Sequence, residues 1–414
     1  MKVLLAYYKQ ILYSGPMIVS RLLEIPARNL FEKYPVLTVT GPRQSGKTTL
    51  CRRAFPDLDY VSLESPDQRE FATRDPRGFL GRLKRGAILD EIQRAPELVS
   101  YIQEIVDESR RNSLFVLTGS RQFRVSEAIS QSLAGRTGIF RLLPFSIGEA
   151  AQLQPEMDTD SMLYKGFYPR IYDQDLNPTQ ALGDYFETYV ERDVRQVSEI
   201  RHLSAFHTFV RLCAGRVGQL LNLQGLGNDA GVSHTTAREW LSVLEASYLV
   251  FVLPPLHANI SKRLIKSPKM YFFDVGLASY LLGIENKNQI FTHPLKGALF
   301  ENLVVVEALK HRYNRGLRSH LTFYRDSSGN EVDLVCSFAD RHVGIEVKAG
   351  ATVSSSFFDG LERLSKALPQ PLSSRMLVHG GDQEFMREGV IVTNPRGFAS
   401  RLLEVEQSFQ ASDS

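Results

Sequence analysis

Short apolar runs rich in β-branched residues alternate with helix-like stretches in the first third of the chain. The runs cover residues 35–41, 58–64, 86–92, 113–120 and 138–146. Between two of these runs, Leu98, Ile102 and Val106 recur at the spacing that places side chains on one face of a helix. Strands that alternate with helices predict an α/β fold with a parallel sheet covered on both faces.

The pattern changes twice further along the chain. From about residue 180 to 285 it favours helices, including an amphipathic one over residues 184–197 and a helix–turn–helix stretch over residues 227–255. After residue 286 the alternation returns, which predicts a second, smaller α/β unit. The predicted divisions are an extension outside the fold, three domains and a polar tail: 1–16, 17–152, 153–285, 286–405 and 406–414.

Composition narrows the class of protein. The chain has 414 residues, 43% of them apolar and 23% charged, which excludes a disordered, collagen-like or coiled-coil protein. The net charge of +3 means that any nucleic-acid contact must come from locally grouped basic residues. Three scattered cysteines indicate a reducing compartment. Because no apolar run approaches about 18 residues, we expect a cytoplasmic protein without a membrane span.

One segment fits the G-x-x-x-x-G-K-[ST] template of phosphate-binding loops at every specified position and lies between a predicted strand and a predicted helix. Backbone N–H groups of such a loop point at phosphates at the positive end of the following helix. The lysine reaches the β- and γ-phosphates, and the Thr48 hydroxyl holds Mg²⁺. The predicted ATP-binding residues are Gly41, Pro42, Arg43, Gln44, Ser45, Gly46, Lys47, Thr48 and Thr49.

The strand-like run at residues 86–92 contains two adjacent acids. Asp90 is placed to hold the magnesium ion through water, and Glu91 to polarise the attacking water. Two carboxylates also begin many loops that have no catalytic role. The phosphate-binding loop earlier in the chain favours the catalytic interpretation.

The run at residues 113–120 is predicted to lie between the strand before the phosphate-binding loop and the Asp90 strand. Its terminal Thr118 and Ser120 would orient the lytic water or sense the γ-phosphate, or they are merely polar residues at a strand end. Arg121 and Arg136 are sensor or arginine-finger candidates, because hydrolysis needs positive charge where negative charge develops. Both are equally compatible with surface arginines, and a finger acting in trans requires a homo-oligomer.

The order of these motifs resembles the AAA-type ATPases. Residues 41–50, 89–98, 117–123 and 133–146 together resemble a large prokaryotic family of ATP-binding proteins. In that family an AAA-type domain precedes a winged-helix segment and a restriction-endonuclease-like region. The resemblance extends from about residue 17 to 400 and implies this three-part architecture here.

The middle segment is similar to a winged helix-turn-helix. Four basic residues and no acid lie between residues 256 and 270, namely Lys262, Arg263, Lys266 and Lys269. Phosphate contacts are a natural use of such a loop, so nucleic acid, and DNA in particular, is an expected partner. The alternatives are a solvated loop and a winged helix that only packs as a lid on the ATPase.

A predicted hairpin over residues 331–348 carries acids on both strands. Alternation and antiparallel pairing bring Asp333 beside Glu346, which makes a hard-oxygen site for Mg²⁺ or Mn²⁺. Lys348 lies two residues further on and can position the attacking water. Glu331 is expected to be a surface residue or a neighbour of the ligands rather than a ligand.

This Asp…Glu-x-Lys pattern resembles the PD-(D/E)XK phosphodiesterase superfamily. The resemblance implies a further metal ligand on the preceding helix, and Glu301 occupies that place. The superfamily's Pro-Asp dipeptide is replaced by Val332-Asp333, which leaves the metal chemistry intact.

The leading hypothesis is therefore an ATP- and Mg²⁺-dependent AAA-type hydrolase that acts on nucleic acid through a nuclease-like domain. The alternative is a regulatory, scaffold or protein-remodelling ATPase in which the nuclease-like fold has no catalytic role.

Overall fold

The computed structural model describes residues 19–120, 132–190, 203–256 and 266–412, without the side chains of residues 189, 190 and 412. Within these residues the strands form three sheets. The helices of the same residues fall short of the length and apolar character that crossing a bilayer takes.

The N-terminal part is a parallel sheet of five strands with helices on its faces, as the alternation predicts. Its strands are β1 (Val36–Thr40), β2 (Asp59–Ser62), β3 (Ala87–Asp90), β4 (Phe115–Gly119) and β5 (Thr137–Arg141). Its helices are α1 (Glu24–Phe31), α2 (Lys47–Ala54), α3 (Pro66–Arg74), α4 (Pro76–Gly81) and α5 (Leu98–Ser109), with a 3-10 turn at Ile92–Arg94.

The strand order in this sheet is β2-β3-β4-β1-β5. The prediction that the 113–120 strand separates the other two site strands is confirmed. Strands β1, β3 and β4 are buried along their whole length, because helices cover both faces of the sheet. The carboxyl ends of these three strands therefore meet at one edge, which is where parallel sheets bind ligands.

The middle part is mostly helical. Its elements are α6 (Ile147–Ala150), α7 (Thr159–Lys165), α8 (Pro169–Asp173), α9 (Pro178–Tyr185), α10 (Leu203–Ala214), α11 (Leu223–Ala230), α12 (His234–Ala246), β6 (Val250–Leu253), β7 (Lys269–Phe272), α13 (Val275–Leu281) and α14 (Lys287–Thr292). The predicted amphipathic helix begins within α9 and continues as a π-helix at Phe186–Val190, and the rest of it lies outside the described residues.

Two features of the middle part follow directly from its sequence. The side chain of Ser233 accepts a hydrogen bond from the Thr236 N–H and so caps the start of α12. Trp240, Leu241 and Leu244 on that helix are buried, as their spacing predicts. Strands β6 and β7 then form an antiparallel pair.

The C-terminal part contains a mixed sheet in the order β12-β13-β11-β10-β9-β8. Its strands are β8 (Leu321–Arg325), β9 (Glu331–Phe338), β10 (Arg341–Lys348), β11 (Ser374–His379), β12 (Phe385–Arg387) and β13 (Val390–Thr393). Its helices are α15 (Lys296–Tyr313), α16 (Asp359–Ala367) and α17 (Pro395–Ser412), with a 3-10 turn at Ser355–Phe358. The predicted hairpin is confirmed, because β9 and β10 pair antiparallel.

The middle and C-terminal parts share one hydrophobic core, whose residues lie between positions 143 and 405 of the chain, with Val19 in addition. Hydrogen bonds also connect helix α15 with the segment that directly follows the ATPase sheet. The Lys310 ammonium donates to the Phe145 carbonyl at 2.7 Å, and the Ile147 N–H donates to Glu307 Oε1 at 3.0 Å. The three parts of the chain are therefore packed into one body rather than joined by loose linkers.

Candidate functional site

The phosphate-binding loop has the backbone that its glycines allow. Gly46 adopts φ +90° at the cap of α2, a conformation that residues with a side chain rarely adopt. A Cβ on Gly41 would lie 2.1 Å from the Leu142 carbonyl oxygen, so any larger residue there would push strand β5 away. The loop residues at the start of α2 are thus held where the helix presents its unpaired N–H groups.

The Lys47 side chain is folded back on the loop. Its ammonium donates to the Gly41 carbonyl at 3.0 Å and to the Pro42 carbonyl at 2.8 Å. Burial lowers the pKa of Lys47, although the Glu91 and Asp90 carboxylates oppose that shift. A buried ammonium held by neutral carbonyls can exchange them for phosphate oxygens without breaking an ion pair.

Asp90 lies at the end of β3 and accepts hydrogen bonds from three hydroxyls. Thr48 Oγ1 donates to Asp90 Oδ2 at 2.9 Å, Tyr60 Oη donates to the same oxygen at 2.8 Å, and Thr118 Oγ1 donates to Oδ1. Burial and the bond to Asp90 raise the pKa of Tyr60 to about 12. The Thr48–Asp90 contact brings the two predicted magnesium-binding side chains together, as the motif requires.

Glu91 has a left-handed backbone, with φ 59°, which is unusual for a residue with a side chain. Its N–H donates to Thr118 Oγ1 at 3.2 Å. Its carboxylate accepts from Ser120 Oγ at 3.1 Å and from the amide of Gln93. Strained backbone of this kind clusters at functional sites. Glu91, the predicted base, thus lies beside the phosphate-binding loop. The side-chain amide of Gln93, which the sequence analysis does not predict, donates a hydrogen bond to its carboxylate.

A cavity of about 520 Å³ opens beside the loop. The predicted site residues that line it are Arg43, Gln44, Gly46, Lys47, Thr48, Thr49, Asp90 and Glu91. Arg21 also lines it and is missing from the sequence-based site. Its guanidinium donates to the Ser45 carbonyl at 2.7 Å and to the Leu143 carbonyl at 2.7 Å, and it pairs with Glu149 at 3.0 Å. Nothing in the local sequence marks this residue, because its partners are distant in the chain.

Arg136 lies away from the phosphate-binding loop of its own chain, which leaves a surface role or a role in trans among the predicted alternatives. Its guanidinium pairs with Asp107 at 2.6 Å, just before the start of β5. The phosphate-binding loop follows the opposite end of the adjacent strand, because β1 and β5 are parallel and Val36 pairs with Thr137. Arg136 therefore does not contact the loop of its own chain. Arg121 lies outside the described residues.

In the C-terminal sheet, Asp333 and Glu346 lie side by side on the hairpin. Ile345 pairs with Leu334, and the Val347 N–H donates to Asp333 Oδ2 at 2.9 Å. The Lys348 ammonium lies 2.5 Å from Glu346 Oε1 and 3.7 Å from Asp333 Oδ2. The predicted side chains of the hairpin are thus brought together.

Glu301 of helix α15 joins this group, together with two residues of strand β7. The Lys269 ammonium donates to Glu301 Oε1 at 2.8 Å, and Tyr271 Oη donates to the same oxygen at 2.5 Å. Lys269 also pairs with Glu331. One carboxylate oxygen from each of Glu301, Glu331 and Asp333 lies within 4.8 Å of the other two. We call Glu301, Glu331, Asp333 and Glu346 the carboxylate cluster.

One expectation is corrected here. Lys269 is not part of an exposed basic loop: it is on strand β7, and its side chain is only 3% exposed. Of the two positions expected for Glu331, on the surface or beside the ligands, the second agrees with the structure, because one of its carboxylate oxygens lies within 4.8 Å of those of Glu301 and Asp333. Of the other predicted basic residues, Lys266 is exposed, and Lys262 and Arg263 lie outside the described residues.

Crowded acids and burial shift the ionisation of the cluster. Burial and the Asp333 carboxylate raise the pKa of both Glu301 and Glu346. Although burial opposes it, the neighbouring carboxylates raise the pKa of Lys269 and of Lys348. Both lysines are therefore held as cations, whereas Glu301 and Glu346 keep their protons to a higher pH than an ordinary glutamate does.

Comparisons with known proteins bear on the three parts separately. Residues 33–151 match a family model described as an AAA domain, and residues 156–288 and 296–396 match models described as domains of unknown function, DUF8612 and DUF4143. Together with the loop geometry, the first match makes the N-terminal part an AAA-type P-loop domain and supports ATP binding.

Two curated relatives extend along most of the chain. They are Uncharacterized protein Rv2008c of Mycobacterium tuberculosis and Uncharacterized protein Mb2031c of Mycobacterium bovis. Each is 28% identical over 373 residues, which cover 89% of this chain and 81% of the relative.

Two solved structures are more distantly similar. The Walker-type ATPase paby2304 of Pyrococcus abyssi aligns with a TM-score of 0.44 and 15% identity, over 64% of this chain and 96% of its own. A signal-transduction ATPase with numerous domains and a tetratricopeptide sensor, PH0952 of Pyrococcus horikoshii, aligns with a TM-score of 0.24 and 12% identity, over 72% of this chain and 47% of its own. At these TM-scores neither structure bears on the function of this chain.

Proposed function

We propose that this protein is an Mg²⁺-dependent ATPase that acts on nucleic acid through a divalent-cation-dependent phosphodiesterase site in its C-terminal part. The observation that supports the ATPase activity is the hydrogen bond from Thr48 to Asp90, with Glu91 beside them, in the lining of the loop cavity. The phosphodiesterase half of the proposal rests on the carboxylate cluster.

In the ATPase, each residue has a defined task. The loop N–H groups and Lys47 bind the phosphates, and Thr48 and Asp90 hold Mg²⁺, which would neutralise the charge that develops on the γ-phosphate. Glu91 accepts a hydrogen bond from the attacking water and orients it. A trans-acting arginine from a neighbouring copy of the chain is part of the proposal, since Arg136 does not serve the loop of its own chain.

The ATPase proposal is tested by ATP turnover of Lys47→Ala beside wild type. We expect loss of turnover, because the ammonium that contacts the phosphates is removed. Lys33→Ala is a matched control, since Lys33 is an exposed lysine of the same domain. Turnover by Lys47→Ala at the wild-type rate would contradict the proposed site.

The residues of the carboxylate cluster fit a divalent ion. Oxygen ligands from carboxylates are those that Mg²⁺ and Mn²⁺ prefer. Asp333 and Glu346 would hold the ion, which would supply an acidified water and charge stabilisation for phosphodiester cleavage. Glu301, the third predicted ligand, already accepts hydrogen bonds from Lys269 and Tyr271. The Lys348 ammonium lies beside Glu346, a proposed ligand of the ion, and would therefore be in position to orient that water.

The middle part is proposed to contact DNA. Helices α11 and α12 and the β6–β7 pair follow the order of a winged helix-turn-helix, and Lys266 is exposed beside β7. Lys262 and Arg263 belong to the same basic stretch of sequence. Phosphate-dominated binding must weaken steeply with salt, so DNA affinity at rising salt concentration tests this part.

The nuclease is tested by nicking of a supercoiled plasmid with Mn²⁺, comparing wild type with Asp333→Ala and Lys348→Ala. Both variants should lose nicking. If nicking persists in both, the cluster is not the active site.

The ion pairs of the cluster support a second candidate, a regulatory, scaffold or protein-remodelling ATPase. Lys269 and Lys348 between them pair with all four acids, which can stabilise the fold without any metal. Absence of cleavage on duplex, single-stranded and branched substrates, with ATP turnover unchanged by DNA, would favour this candidate.

A further inference from the structure

The Lys269 ammonium lies inside the carboxylate cluster although it belongs to the middle part of the chain. It bonds to Glu301 and Glu331 and lies 5.5 Å from the centre of the Phe323 ring. Its strand, β7, is antiparallel to β6, and Pro255, just after β6, bridges to Phe323 on β8. A buried lysine on a strand has little freedom to leave this position.

The two lysines divide the four acids between them. Lys348 faces Glu346 and Asp333, whereas Lys269 faces Glu301 and Glu331. The oxygens of Glu301, Glu331 and Asp333 have the mutual spacing expected around a single cation. Two of those three acids already bind the Lys269 ammonium, so the chain itself supplies a cation at this end of the cluster.

The other end of the cluster is different. Glu346 is only 8% exposed, and among the described residues nothing donates a hydrogen bond to its Oε2. A buried carboxylate oxygen without a partner is costly unless a ligand satisfies it. Glu346 Oε1, in contrast, is paired with Lys348. The open ligand position is thus on the Glu346 side, away from Lys269.

We infer that Lys269 acts as a built-in cation which restricts the carboxylate cluster to one divalent ion, bound on the Glu346 and Asp333 side. Replacing Lys269 with a neutral residue opens a second ion position between Glu301 and Glu331. This inference rests on the proposed metal site. The number of ions in the C-terminal site is then fixed by a residue of the middle part.

The inference is tested by the number of Mn²⁺ ions bound per chain, measured by electron paramagnetic resonance titration of the full chain without nucleotide. All proteins carry Asp90→Asn, which removes the carboxylate that would hold a cation in the ATPase site. We expect one ion in this background and two when Lys269→Met is added. Lys287→Met is the matched control, since Lys287 pairs with Asp158 on the surface, and it should leave the count at one.

The outcomes separate the inference from the proposed function. One ion in both the background and the Lys269→Met protein, or two in the background, overturns the inference alone. No Mn²⁺ bound by either protein overturns the metal site and therefore the proposed phosphodiesterase. Addition of Asp333→Asn should abolish binding in the background, and binding that survives it would also overturn the metal site.

Removal of Lys269 leaves Glu301 without its counter-ion and leaves Glu331 with Arg325 alone, so the metal-free variant is expected to be less stable. The double variant Lys269→Met, Glu331→Gln removes one negative charge with the positive one and keeps a side chain of similar size. It should bind one ion, because the second position loses a ligand. Two ions in the double variant would contradict the assignment of Glu331 to the second position.

Discussion

The phosphate-binding loop and the carboxylate cluster both bring acids and lysines together at strand ends, but they hold their charges differently. Lys47 is bound by backbone carbonyls, and Asp90 by three hydroxyls. In the carboxylate cluster, each lysine is bound by two carboxylates instead.

This difference determines what each site can exchange. A charge held by neutral dipoles keeps most of its attraction for an incoming phosphate or cation. A charge held by an opposite charge must first lose that partner, and breaking one partner from a buried pair is costly. The N-terminal site is thus prepared to exchange ligands at each turnover, whereas the cluster is prepared to keep its charges in place.

The largest effect is expected at Glu91. Glu91→Gln should preserve ATP binding, because the phosphates and Mg²⁺ contact other residues, while turnover falls by about 10²-fold or more, since the base is lost. Single-turnover hydrolysis and equilibrium nucleotide binding measure the two quantities separately. Hydrolysis at the wild-type rate would show that Glu91 is not the base.

Lys269→Met, studied without metal, tests how much the ion pairs of the carboxylate cluster stabilise the fold. Removing one partner of a buried ion pair should lower the free energy of unfolding by about 3–5 kcal/mol. The exposed pair of Lys287 with Asp158 should cost at most about 1 kcal/mol when Lys287→Met breaks it. Urea unfolding of the two variants makes the comparison. Equal losses would mean that the Lys269 pairs contribute no more than surface pairs.

A third charge group, between the two sites, gives a pH dependence. Burial raises the pKa of Glu307 to about 7, against an ordinary value of 4.5, and Lys310 and the Ile147 N–H only partly oppose this. The proton is held more tightly in the folded state. Its contribution to stability, at most about 3 kcal/mol, is present below about pH 4.5 and is lost as the pH rises towards 7.

Glu307→Gln removes this titration and keeps an oxygen that can accept from Ile147. The unfolding free energy of wild type should therefore fall, relative to that of the variant, between pH 5 and pH 8. A difference that is constant across this range would mean that Glu307 ionises normally in the folded protein.

The smallest effect is expected at Gln93. Its amide donates to the Glu91 carboxylate and so competes with the attacking water for that carboxylate. Gln93→Ala should raise kcat by a few-fold, which corresponds to about 1 kcal/mol or less, and should leave KM unchanged. A fall in kcat would show instead that Gln93 helps to place the water.

The sequence was most informative where a function depends on contiguous residues. The phosphate-binding loop, the acids at the end of β3 and the hairpin of β9 and β10 each lie within one local pattern, so motif spacing and alternation predicted them. The position of β4 between β1 and β3 also followed from the order of the motifs.

Contacts between distant segments could not be predicted in the same way. Arg21 reaches Ser45 and Glu149 only once the sheet has formed, and nothing around Arg21 marks it. Lys269 was misassigned because its neighbours in sequence are basic. The pairing of β7 with β6, and the packing of that pair beside β8, buries it among acids that come from two other elements.

Helix α15 connects the carboxylate cluster with the ATPase sheet. Its 18 residues span about 27 Å as a stiff rod, and Glu301 lies near one end. At the middle, Glu307 and Lys310 grip the backbone at Ile147 and Phe145, and at the far end Tyr313 accepts from Arg141 of β5 at 3.0 Å. The carboxylate cluster and the ATPase sheet are therefore attached to one continuous helix. A shift of β5 that moved this helix as a rigid unit would also move Glu301.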